Sequence, residues 1–309
     1  MLTVHRILCA VDFSPSSARA LDHALVFTRW FRSGLHVLYV QHGTLLPPEG
    51  PAGRRASTFQ VWDYLPRLQA KLTRFAEPAL RTSSPALPVE LEVKEGEVVE
   101  EILERSLTLP ADLLVLGTHG HGPLHDLTLG SVAEKVLRRA TCPVLAVPPA
   151  VEEEAGPLLF GTIVCAVDFS EPSRSALRYA LALAREADAH LIVAHVCEDL
   201  PADESLAASR HPGREFQAGK RAEALERLRG FHALEKRDAA VPREDVVLAG
   251  KAWRGLSRLC RERGARLAVV GVHGEVPLGE RIFGSTAHHL VREGACPVLA
   301  IRPRSPGPL

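Results

Sequence analysis

The stretch CAVDFS occupies Cys9–Ser14 and returns at Cys165–Ser170; CPVLA does the same at Cys142–Ala146 and Cys296–Ala300. The offsets are 156 residues (Cys9 to Cys165) and 154 residues (Cys142 to Cys296), so two marks recur in one order at nearly one spacing. One domain is therefore written twice in a chain of 309 residues. That length suits two domains of roughly 150 residues, each with a core of its own. The expected boundaries are 1–150 and 158–303, with a linker at 148–157 and a tail at 304–309. The linker PPAVEEEAGP combines prolines, a glycine and three consecutive glutamates, which disfavours a packed element.

Within each copy, short apolar runs alternate with longer amphipathic ones. RILCAVD, HVLYV, VELEV, LLVLG and PVLAV read as strands in the first, with helical stretches such as SSARALDHALVFTRWF and EVVEEILERSL between them. TIVCAVD, LIVAHV, DVVLAG, LAVVG and PVLAI repeat the pattern. Five strands joined by helical crossovers predict an α/β fold: two repeated doubly wound domains, each a five-stranded parallel sheet with helices on both faces. In the order 3-2-1-4-5, the ends of strands one and four are neighbours where the strand order reverses. A ligand crevice is expected there.

Composition removes several function classes. Lys plus Arg and Asp plus Glu both count 37, for a net charge of +0, so no basic excess marks a nucleic-acid surface. No run approaches the ~20 apolar residues that span a bilayer, and the start has no signal-peptide pattern, so the chain is expected to be cytoplasmic, without membrane partners. Six cysteines form no C-x-x-C pair, and Cys9, Cys142, Cys165 and Cys296 lie in or beside apolar strands, as buried thiols do.

The chemistry-bearing stretch is GTHGHGPLHD, Gly117–Asp126, directly after a strand. Its three histidines suggest metal, but the second copy reads GVHGEVPLGE, with Glu275 in place of His121 and Gly279 in place of His125; only His119 returns, as His273. The glycines do return. Gly117, Gly120, Gly130 and Ser131 match Gly271, Gly274, Gly284 and Ser285, so both copies spell G-x2-G-x9-G-S. Glycines permit left-handed angles and close approach, and the G-S pair opens an amphipathic helix whose free N–H groups attract anions. Ser131 and Ser285 are expected to cap that helix or to donate a hydroxyl to phosphate. Asp12 and Asp168, between a strand and a helix entry, fit a helix cap, an acceptor for ribose hydroxyls, or a ligand for a divalent cation such as Mg beside phosphates.

At these residues the chain resembles the universal stress protein family in its tandem two-domain form. The resemblance covers nearly the whole chain, and G-x2-G-x9-G-[ST] in this setting is the family's ATP-binding motif. It implies a nucleotide-binding, Rossmann-like α/β domain that serves the cytoplasmic stress response as an ATP-binding signalling module. Carried over by position, the nucleotide site comprises Asp12, Val40, Gly117, His119, Gly120, Gly130, Ser131 and Val132. The second is Asp168, Val196, Gly271, His273, Gly274, Gly284, Ser285 and Thr286. The implied cofactor is ATP, with Mg near Asp12 and Asp168. The implied partners are adenine nucleotide, the other copy in an intramolecular pseudo-dimer, and a second chain in a homodimer. Many members carry a basic residue after the second loop glycine, where His121 and Glu275 stand here; Glu275 and Glu280 weigh against phosphate in the second copy. No catalytic constellation stands out. A protein-interaction module of the same fold and a weak ATP hydrolase are the alternative readings.

Overall fold

A computed structural model describes residues 3–43, 58–81, 87–120, 129–149, 160–198, 214–233, 241–272 and 283–302. The chain divides into two compact units, Thr3–Leu158 and Leu159–Leu309. The first contains β1 (Arg6–Val11), α1 (Pro15–Phe31), β2 (Gly34–His42), α2 (Thr58–Arg81), β3 (Val89–Gly96), α3 (Val98–Thr108), β4 (Leu113–Gly117), α4 (Ser131–Arg139) and β5 (Val144–Val147). The second contains β6 (Thr162–Ala166), α5 (Glu171–Ala187), β7 (His190–Cys197), α6 (Arg214–Ala233), β8 (Arg243–Ala249), α7 (Ala252–Glu262), β9 (Leu267–Gly271), α8 (Ser285–Glu293) and β10 (Val298–Ile301).

Within the first unit all strands run parallel in the order β3-β2-β1-β4-β5; within the second the order is β8-β7-β6-β9-β10. Both are the doubly wound order that the sequence predicts. The registers Ala10↔Leu116 and Val11↔Tyr39 bring the carboxyl ends of β1, β2 and β4 to one rim, and Ala166 pairs with both Ala194 and Val270 in the second unit.

Central strands are apolar because both faces are covered. Ile7, Leu8, Leu114, Val115, Ile163 and Val164 are essentially inaccessible to water. Full burial of a side chain of this size contributes roughly 1.5–3 kcal/mol. The edge strand β3, VELEVKEG, keeps Glu90 and Glu95 exposed and Glu92 half-buried, where Glu92 accepts from Arg105 Nε at 2.7 Å and lies 2.5 Å from the buried His36 Nε2. Arg105 and the His36 contact hold the Glu92 carboxyl below its ordinary range against the opposing effect of burial.

Both first helices start in one way. The Ser14 hydroxyl accepts from Ser17 N at 3.1 Å with Pro15 at the first helical position, and Ser170 accepts from Ser173 N at 3.2 Å. None of the six cysteines is joined in a disulfide; Cys9 and Cys165 are fully buried, which pushes both thiols far up. Among the described residues, no helix is long and apolar enough to cross a membrane.

Candidate functional site

Asp12 follows the last residue of β1, and two residues later Ser14 caps α1. The Asp12 Oδ1 accepts from Ser14 N at 2.9 Å, and Asp12 N donates to Ser17 Oγ at 3.3 Å. Asp168 repeats this: its Oδ1 accepts from Ser170 N at 3.0 Å and from Ser170 Oγ at 2.5 Å. The helix cap is thus the serine, not the aspartate, because only the serine precedes the first helical turn by one residue. In each copy the backbone N–H of the capping serine holds the carboxylate through Oδ1 at the rim of the sheet.

The residue between them holds an unusual backbone. Phe13 has φ 66° and Phe169 has φ 67°, left-handed values that a bulky side chain rarely adopts. Packing enforces the conformation. The Phe13 ring lies 4.3 Å from Tyr39 on β2 and 5.4 Å from Phe75 on α2, with Lys71 Nζ 4.1 Å from its centroid. The Phe169 ring lies 4.4 Å from His195 on β7 and 5.6 Å from Phe231 on α6, with the Arg227 guanidinium at 4.1 Å. Every partner is displaced by the same 156 residues (Tyr39 to His195, Lys71 to Arg227, Phe75 to Phe231). Burial first, then the Tyr64 hydroxyl and the Asp12 carboxylate, raise the Tyr39 phenol above its ordinary range, so it stays protonated.

The glycine motif meets this turn. A β-carbon on Gly117 would lie 2.7 Å from Ser16 Oγ, 2.8 Å from Ser16 C and 2.9 Å from Ser17 N; one on Gly271 would lie 2.5 Å from Pro172 C. These two glycines let the end of the fourth strand pack on the first helical turn. A β-carbon on Gly120 would come within 2.8 Å of Asp12 Oδ2, so loop and carboxylate share one crevice. Gly130 N donates to Thr118 O at 2.8 Å and a β-carbon there would sit 3.1 Å from the same oxygen, which pins the loop at its base. None of the described motif glycines has positive φ; positive values among the described glycines occur at Gly43, Gly96, Gly250, Gly264 and Gly294. Close approach, and not left-handed geometry, is therefore what the motif glycines supply.

Gly130 (φ −60°) and Gly284 (φ −54°) are the N-caps of α4 and α8, so Ser131 and Ser285 stand at the first helical position and cap nothing. Without a side-chain cap, the first N–H groups of both helices donate to no acceptor among the described residues, an arrangement that suits an anion. Val132 and Thr286 follow in the first turns, both partly exposed. Val40 is buried near the end of β2. The His119 carbonyl accepts from Ser14 Oγ at 3.3 Å, and its ring Nδ1 lies 2.7 Å from Thr118 Oγ1. His273 and Gly274, with His121, His125, Glu275, Gly279 and Glu280, lie outside the described residues.

In the second unit the crevice is a cavity of about 100 Å³ lined by Asp168, Ser173, His195, Val196, Gly271 and Thr286, with apolar walls from β6, β7, α7 and β9. That is less than the ~300–1,000 Å³ of whole small-molecule sites, so it has room for only one end of a ligand of that size. Among the described residues no group of three or more His, Cys, Asp or Glu could hold a metal ion by itself. A divalent cation would fit only as Mg does beside phosphates, through a single carboxylate.

Sequence reasoning missed Phe13, Phe169, Lys71, Arg227, Tyr39 and His195. The repeated Phe was visible in CAVDFS, and the matched offset of Lys71 and Arg227 was available from the two copies.

The universal stress protein family matches the chain twice, over residues 3–148 and 159–302. A universal stress protein of Mycobacterium tuberculosis is 29% identical over 279 residues, spanning 87% of this chain and 86% of its own length. One from Methanocaldococcus jannaschii is 31% identical over 147 residues, 46% of this chain and 81% of its own. Among solved structures, a universal stress protein from Archaeoglobus fulgidus aligns with a TM-score of 0.70 at 19% identity, over 98% of this chain and 100% of that one, a likeness of fold.

Proposed function

The chain belongs to the universal stress protein family, and from that premise we propose that it binds adenine nucleotide, as ATP, at the rim of each sheet and uses occupancy as a signal in a cytoplasmic stress response. A carboxylate fixed at the sheet rim near an uncapped helix start, twice in one chain, with Gly120 against Asp12 in the first copy, carries the reading. The two ends of the site want different chemistry. Asp12 and Asp168 repel phosphate but accept from hydroxyls, as ribose offers. The first N–H groups of α4 and α8, with the Ser131 and Ser285 hydroxyls beside them, favour an anion. The apolar slot beyond Asp168 suits a flat heterocycle. A nucleotide carries all three parts in that order. Any Mg would arrive with the phosphates and take one oxygen of the aspartate.

Calorimetric titration of ATP into the full chain tests this. Asp12→Ala and Asp168→Ala should each remove one site, and the double variant should bind nothing. Absence of ATP binding to the unaltered chain, or unchanged binding by the double variant, overturns the proposal.

A further inference from the structure

The two sites differ at one wall. Where the first unit has Tyr39, whose hydroxyl donates to Gln41 Oε1 at 2.8 Å, the second has His195. His195 Nδ1 lies 2.8 Å from Val167 O. A carbonyl oxygen only accepts, so Nδ1 carries the proton in that contact, and in the tautomer protonated there Nε2 is a lone-pair acceptor. The tilted contact with the Phe169 ring, 4.4 Å between centroids, holds the imidazole, and no hydrogen bond from a described residue occupies Nε2. His195 lines the cavity together with Asp168, Val196, Ala252 and Leu256.

The end of the ligand that enters this cavity follows from its walls. Phosphate is disfavoured by the Asp168 carboxylate and by the aliphatic side chains of Val196 and Leu256, and finds its donors at the α8 start instead. What remains is a flat, largely apolar group with a polar edge.

We propose that His195 is a specificity-determining residue of the second site: its Nε2 accepts an N–H from the ligand's heterocycle and selects a 6-amino purine over a 6-oxo purine. A 6-oxo group sets an acceptor oxygen against the imidazole lone pair at the position where the 6-amino group donates. This inference rests on the nucleotide reading above and adds a base preference that the first site, with its phenol, does not share.

The test uses the full chain carrying Asp12→Ala, so that the second site is read alone, titrated with ATP and with its 6-oxo analogue inosine triphosphate. ATP should bind about tenfold more tightly, the scale of one hydrogen bond lost with its acceptor left unpaired. Adding His195→Leu should bring the ratio near one, and His195→Gln, which keeps an acceptor oxygen, should restore part of it. Equal affinities for the two nucleotides with His195 in place overturn the inference and leave the nucleotide reading standing, whether or not the leucine variant folds. If neither nucleotide binds the second site, the nucleotide reading there falls and this inference with it. Retention of the full ratio by a folded His195→Leu chain overturns it as well.

Discussion

Gly117 and Gly120 stand three residues apart in one motif, yet alanine at the two positions should do different damage. At Gly117 the new β-carbon would sit 2.8 Å from Ser16 C and 2.9 Å from Ser17 N, both backbone atoms of the first turn of α1. That turn is anchored, since Ser16 Oγ donates to Val147 O at 2.9 Å and Ser17 N donates to Ser14 Oγ at 3.1 Å. Either α1 or the end of β4 must shift, an overpacking cost of about 1–3 kcal/mol. At Gly120 the contact, 2.8 Å, is with Asp12 Oδ2, the far end of a side chain that rotates away at little cost in stability. The loss falls on the ligand. A hydroxyl–carboxylate hydrogen bond contributes about 1.5–3 kcal/mol, so the ATP Kd of the first site should rise roughly tenfold to a hundredfold. Calorimetric melting and ATP titration of both variants separate the effects; each kcal/mol lowers the melting temperature of a domain of this size by about 2–4 °C. An unshifted melting temperature for Gly117→Ala, or equal destabilisation by the two variants, would refute the contact argument.

Burial of His23, whose Nδ1 lies 2.8 Å from Arg19 O, pulls its ring down to about 4 from an ordinary 6.5. The folded chain therefore keeps a neutral ring that the unfolded chain protonates, and this stability is full above about 6.5 and falls away towards pH 4, by roughly 3 kcal/mol. His23→Leu should flatten that part of the urea-unfolding profile; an identical pH dependence in variant and parent would refute it. Phe13→Ala keeps Asp12 but removes the ring contacts with Tyr39, Phe75 and Lys71, so it should weaken ATP at the first site and leave the second untouched, with Phe169→Ala as its mirror. Loss of both sites from either single change, seen by titration, would show that the clamp is not local.

Much of this was legible in the residues because the relevant signals are local. Apolar runs such as LLVLG and LAVVG form strands where they stand, and the repeated CAVDFS and CPVLA set the two copies in register. What failed to show were consequences of tertiary contact. Asp-Phe-Ser offers two cap residues, and only the entry angle of α1 chooses Ser14 over Asp12. The G-S pair reads as a serine cap, but the chain closes on Gly130 N and Thr118 O one residue earlier, which moves Ser131 into the helix. Lys71 and Phe75 lie on an amphipathic helix, where a cation and an aromatic four residues apart pass for ordinary surface and core. Their bearing on Asp12 appears only when α2 is laid against the end of β1.

The turn itself joins these observations. A bulky residue at φ 66° costs of order 1–3 kcal/mol. An aromatic contact offsets roughly 0.5–1.5 kcal/mol of that and a cation over a ring about 0.5–1 kcal/mol. Phe13 and Phe169 each have two ring neighbours and one cation, so strain and packing come close to cancelling. Glycine would take the same backbone angle without strain and would leave the turn free to move. Phenylalanine gains no net stability over it but fixes the direction of the preceding carboxylate by contacts from a strand and a helix at once. The clamp spans the end of β2 or β7 and the body of α2 or α6, so a ligand that pulls on Asp12 or Asp168 loads those helices through a ring. In the second copy the same ring also holds His195, so the residue that fixes the aspartate is in contact with the one proposed to select the base.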